Sequence, residues 1–105
     1  MTDRPRIDIP KERIADFCRR WKITELALFG SVLRDDFRPD SDIDVLVTFA
    51  RGAAWSLFDH VDMEDEMEAI LGRSVDVVSR RGIERSRNPS RRRAILESAQ
   101  VVHVA

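Results

Sequence analysis

The sequence predicts an α/β domain with a packed sheet, and three observations carry that prediction. Short apolar, β-branched runs recur at residues 26–29, 43–49, 75–78 and 101–104. Segments with helical periodicity or helix-capping residues lie between them, and such alternation is the signature of an α/β chain. The length of 105 residues suits one domain, spanning 1–105, because a chain of this size buries one hydrophobic core and not two.

The elements follow in order. Residues 1–9 form a polar lead-in. Pro10 suits a first helical turn. Ile14, Phe17, Cys18 and Trp21 then recur at i, i+3, i+4 and i+7, the stripe of an amphipathic helix. The apolar run 26–29 ends at Gly30, which fits a buried strand meeting a tight turn. A short helix is expected from Ser31 to about Arg34, and the charged stretch 35–41, which contains Pro39, reads as a loop. Residues 43–49 are the clearest strand in the chain. After a loop around Gly52, Ser56 is placed to cap a helix with Asp59 near its first turn. That helix runs to about Leu71 and stops at Gly72. Residues 75–78 are a third strand. Residues 82–90 read as polar and irregular, since Pro89 is incompatible with regular sheet. Ser90 caps a last helix through about Ser98, and residues 101–104 close with a strand. Strand directions are not fixed by these patterns. Phe17, Trp21, Phe49 and Phe58 read as core, Trp55 sits in a loop where it could face a ligand or partner, and His60 and His103 have no neighbours at metal-site spacing.

Composition narrows the function classes. Charged residues make up 35% of the chain but the net charge is −1, so no global basic field is available for nucleic acid. Residues 80–93 contain seven arginines and one glutamate. A solvated face is a plainer reading of them than an RNA or phosphate site, and the run lacks the aromatic interleaving of a nucleic-acid platform. Cys18 is the only cysteine, which excludes an internal disulfide and a Cys/His metal site. There is no apolar run of membrane length and no signal-peptide pattern after Met1, so a cytoplasmic, non-membrane protein is expected. Neither G-x-G-x-x-G nor G-x-x-x-x-G-K-[ST] occurs, so the Rossmann and P-loop alternatives lose their main support.

The chemistry is concentrated in Gly30-Ser31, then ten residues, then Asp42-Ile43-Asp44. Asp42 and Asp44 are two apart at the start of a strand, so both carboxylates leave one face with Cα atoms roughly 6–7 Å apart. Two like charges held there oppose one another. A divalent cation removes the conflict, and oxygen ligands suit Mg²⁺. Asp76 is an acid within the apolar strand 75–78. If that strand neighbours the first, three carboxylates converge. Gly30 lets a backbone approach phosphate closely, and the turn into a helix at Ser31 offers N–H donors and a hydroxyl. A phosphate cradle beside a metal-binding acid cluster is what phosphoryl-type transfer requires. Plainer roles exist for each residue: a solvated strand face for Asp42 and Asp44, a strand-edge acid for Asp76, an ordinary turn for Gly30-Ser31. Arg34 is a candidate phosphate or acceptor contact, and an ion pair with Asp35, Asp36 or Asp40 explains it equally well.

The Gly-Ser, ten-residue, Asp-x-Asp spacing resembles the signature of the DNA polymerase β-like nucleotidyltransferases. Residues 28–47, 71–78 and 91–98 together are similar to the minimal nucleotidyltransferase family, whose members are often antitoxins paired with HEPN-domain toxins. The resemblance implies a mixed four-stranded sheet with helices packed mainly on one side. It implies Asp42, Asp44 and Asp76 as catalytic and metal-binding residues, Gly30 and Ser31 as nucleotide contacts, two Mg²⁺ ions, and ATP as nucleotide donor. Larger relatives carry a further domain for the acceptor. Its absence from these 105 residues suggests an acceptor protein, a HEPN-like toxin modified on a hydroxyl. The alternative is a catalytically silent antitoxin that blocks its toxin by contact.

Overall fold

The computed structural model describes residues 9–33, 38 and 41–104. Arg34, Asp35, Asp36, Pro39 and Asp40 lie outside the described residues. The chain runs α1 (Lys11–Arg20), β1 (Ile23–Phe29), a 3₁₀ turn (Gly30–Leu33), β2 (Ile43–Phe49), α2 (Leu57–Leu71), β3 (Val75–Ser79), α3 (Arg80–Glu84), α4 (Pro89–Ser98) and β4 (Gln100–Val104).

The four strands form one sheet in the order β3-β2-β1-β4. β1 is antiparallel to both β2 and β4, whereas β2 and β3 are parallel. The sheet is therefore mixed, and α2 is the crossover that a parallel pair demands.

Alternation along the strands sorts side chains between the two faces. Ile43, Val45, Val47, Val75 and Val77 join Ile14, Phe17 and Cys18 of α1 and Met63 and Met67 of α2 in the larger core. The other face carries a smaller cluster, in which Ala27, Phe29 and Leu46 pack with Ile83 of α3 and Ile95 of α4. The two principal helices thus lie on one side, as the family resemblance implies, and α3 and α4 cover part of the other.

Sequence chemistry accounts for most boundaries. Pro10 caps α1 rather than entering it. Ser56 and Asp59 form a reciprocal capping box at the start of α2, and Gly72 ends that helix in the left-handed conformation. Two expectations shift. Residues 80–84 overlap the stretch expected to be polar and irregular but form the short helix α3, whose Ser79 cap accepts from the Gly82 N–H. Asn88, not Ser90, caps α4, which puts Pro89 in the first turn, where its missing N–H costs nothing. One core assignment is overturned. Phe58 is 83% exposed, because it stands on the outward side of the first turn of α2 while Met63 and Met67 occupy the inward side.

β3 ends the sheet, so its outer N–H groups have no strand to accept them. α2 supplies the acceptors: Glu64 takes the Val77 N–H at 2.9 Å and Glu68 the Val75 N–H at 3.4 Å. The imidazole of His60 lies 3.7 Å from the same Glu64 carboxylate.

Candidate active site

The C-terminal end of β1 and the N-terminal ends of β2 and β3 meet at one end of the sheet. Phe29 pairs with Asp44 across the antiparallel ladder, and Asp44 stands in register with Asp76 across the parallel one. Neighbouring strands are about 4.8 Å apart, so the Asp44 and Asp76 side chains start side by side. Both lie on the face opposite to α1 and α2, since their neighbours Ile43, Val45, Val75 and Val77 point into the larger core.

Backbone bonds fix the approach to β2. The Ser41 N–H donates to the Arg38 carbonyl and the Arg38 N–H to Ser41 Oγ, each at 3.0 Å. The Arg73 guanidinium also donates to the Arg38 carbonyl at 3.0 Å, and the Ile43 N–H reaches the Ser74 carbonyl at 2.9 Å. Asp42 is held between these clamps, immediately before the strand. It is exposed, as is Asp76, while Asp44 is half-buried.

Gly30 follows Phe29 directly and turns the chain out of the sheet with φ +78°. A Cβ added there would overlap Oδ2 of Asp44 and lie 3.3 Å from its Cγ. The glycine therefore serves two ends: it permits the left-handed turn and leaves room for the Asp44 carboxylate. The sequence pattern suggested close approach of phosphate as the reason for this glycine. The structure adds Asp44 as a neighbour that no spacing rule reveals. Ser31 is half-buried in the 3₁₀ turn that follows. That turn has four residues, so its leading N–H groups, which lack partners within it, are the donors on offer, without the dipole of a long helix.

Among the described residues, no three His, Cys, Asp or Glu side chains stand in the arrangement of a closed metal site. The acids at this end of the sheet are nonetheless a donor set that fits Mg²⁺. They offer only carboxylate oxygens, and two of the three are open to solvent. Mg²⁺ is commonly held by one or two carboxylates and completed by water and substrate phosphates.

The family model for the nucleotidyltransferase domain matches residues 11–102. The chain belongs to that family. It is 39% identical over 59 residues to the protein adenylyltransferase MntA of Thermococcus cleftensis, a match covering 56% of this chain and 58% of that protein. A solved structure described as a candidate minimal nucleotidyltransferase superposes with a TM-score of 0.65 at 37% identity, covering 86% of each chain. A crystal structure of a toxin–antitoxin with AMP-PNP shares the fold at a TM-score of 0.69 and 19% identity, over 92% of this chain and 75% of that one. In this nucleotidyltransferase Asp42, Asp44, Asp76 and the Gly30-Ser31 turn lie at one end of the sheet.

Other candidates separate from that end. Arg80 approaches Glu25 and Glu84 at 3.9 Å each, and Arg92 donates to the Glu84 and Ser86 carbonyls. Part of the arginine run therefore ties α3 to the sheet and α4 to α3. Cys18 is buried, and burial raises its thiol pKa to about 11, as expected of an inert core cysteine. Trp55 packs edge-on against Trp21, ring centroids 5.2 Å apart at 76°.

Proposed function

We propose that this nucleotidyltransferase moves AMP from ATP onto a hydroxyl of a HEPN-like toxin and so acts as that toxin's antitoxin, with Mg²⁺ held by Asp42, Asp44 and Asp76. The observation that carries the reading is the register match of Asp44 with Asp76 beside Gly30. The likeness to a named protein adenylyltransferase supports AMP as the group transferred. The shared fold with a toxin–antitoxin that holds AMP-PNP is consistent with ATP as donor and a toxin as partner.

In this mechanism the backbone N–H groups at Gly30 and Ser31, with the Ser31 hydroxyl, hold the phosphates of ATP. The acceptor hydroxyl attacks the α-phosphorus, a new P–O bond forms, the bond to the bridging oxygen breaks, and pyrophosphate leaves. Asp76, open to solvent on the shared face, takes the hydroxyl proton. Bound Mg²⁺ supplies charge neutralisation on the triphosphate and makes the attacking oxygen more acidic. Arg34 is assigned to the phosphates or the acceptor. Complex formation supplies proximity, which turns a slow bimolecular step into an effectively unimolecular one. The added nucleotide brings bulk and negative charge to the toxin, and both oppose RNA binding there.

The test is incubation of the partner with this protein, ATP and Mg²⁺, followed by mass spectrometry of the partner. One or more AMP-sized additions are expected with the wild type and none with the Asp42→Asn, Asp44→Asn double variant. In cells, the double variant folds but fails to rescue growth from the toxin. Full rescue by that variant, with an unmodified partner, overturns catalysis and leaves an antitoxin that works by contact.

A further inference from the structure

A second concavity lies at the opposite end of β2 and β3. It has a volume of about 620 Å³, within the range of small-molecule sites. Phe49, which lines it, is five residues along β2 from Asp44, so the two ends are separated by roughly 16 Å of strand. Arg51, Arg80 and Arg81 line the cleft, and Glu84 is the one carboxylate among its lining residues. Arg80 is already shared between the Glu25 and Glu84 carboxylates, at 3.9 Å from each. Arg51 and Arg81 are therefore the guanidinium groups in excess among the lining residues, in a chain whose net charge is −1. Arg51 and Arg81 are exposed, and neither guanidinium has a hydrogen-bond or ion-pair partner among the described residues.

Two aromatic side chains, Phe49 and Trp55, line the same cleft. Both are half-buried, and the Trp55 indole N–H is buried without a hydrogen-bond partner. Unpaired arginines beside aromatic side chains match an anion on a planar body, because guanidinium groups form forked contacts with phosphate or carboxylate.

We propose that this cleft is a second ligand site, for a small molecule carrying a phosphate or carboxylate on a flat aromatic body. The site does not depend on the acids at the other end of the sheet, so it stands whether or not the proposed transfer reaction holds.

The test uses 1-naphthyl phosphate and 1-naphthoate as probes, with neutral 1-naphthol for comparison. The protein has two tryptophans, so a ¹H–¹⁵N spectrum shows two indole signals and isolates Trp55. Either aromatic anion is expected to shift that signal saturably. Arg51→Ala and Arg81→Ala should each weaken binding about tenfold, the scale of one charge-assisted hydrogen bond. 1-Naphthol should bind at least as weakly as the anions bind these variants. Because both arginines are exposed and unpaired, their variants should keep the wild-type melting temperature. Asp42→Asn should bind the probes like the wild type. Three results would overturn the site: no saturable shift at millimolar probe, equal affinity in the arginine variants, or loss of binding in Asp42→Asn.

Discussion

At the scale of single residues, Gly30 carries two constraints that a substitution can separate. Its φ of +78° costs an L-residue about 1–2 kcal/mol, and its missing Cβ leaves space for the Asp44 carboxylate. Gly72 shares the first constraint, at φ +73°, but an added Cβ there meets nothing within 4 Å. Gly72→Ala should therefore lower stability by about 1–2 kcal/mol and leave nucleotidyl transfer intact. Gly30→Ala should lower stability at least as much and also abolish transfer, because the carboxylate is displaced. Thermal melts with a transfer assay distinguish the two, and wild-type transfer by Gly30→Ala would remove Asp44 from the site. Cys18 offers a pH test. Its pKa rises from 9.0 unfolded to about 11 folded, so the folded state binds the thiol proton more tightly. The associated stability is fully present below pH 9 and is lost as pH rises through about 11. Melting temperature should fall over that window in the wild type and fall less in Cys18→Ala, once both are compared with their own values at pH 8.

Elements were legible where local chemistry and tertiary packing agreed. β2 occupies residues 43–49 as the β-branched run predicts, and α2 starts and stops at its capping box and its glycine. β1 begins at Ile23, three residues before the apolar run, because tertiary pairing extends it whatever the local propensity: Ile23 pairs with Phe49 and Glu25 with Thr48 and Val104, with Thr24 at the register shift between them. α3 has five residues and one buried anchor, Ile83, too little for any periodicity to register. Strand order and the Asp44–Asp76 register arise from long-range pairing, which motif spacing constrains only through family resemblance. The Glu64 and Glu68 contacts were equally hidden, since on a helix of mixed polarity they look like ordinary surface acids. They yield a prediction about α2. Glu64→Ala leaves the Val77 N–H of an edge strand without its acceptor and should cost about 1–2 kcal/mol, measured by denaturant melts. Ser56→Ala removes the cap of the same helix and should cost about 1 kcal/mol. A Glu64→Ala protein as stable as the wild type would show that water satisfies that edge.

On the scale of the whole molecule, the sheet separates two kinds of surface. The larger core seals the α1–α2 face and makes it a support. The smaller cluster covers only part of the opposite face, which leaves the acid end open, and the arginine-lined cleft sits at the far end of the same strands. A support of this kind makes the two ends thermodynamically separable, because a ligand stabilises the fold only through the site it occupies. At a hundred times its dissociation constant a ligand adds about 2.7 kcal/mol. In a domain of this size that raises the melting temperature by about 10 °C. Mg²⁺ with a non-hydrolysable ATP analogue should produce such a shift in the wild type and in Arg81→Ala, and should lose it in Asp44→Asn. 1-Naphthyl phosphate should do the reverse, stabilising Asp44→Asn as fully as the wild type and Arg81→Ala only about half as much. If instead one substitution removed both shifts while the protein still melted cooperatively, the two ends would be coupled through β2. Assignment of separate sites would then give way to a single extended one.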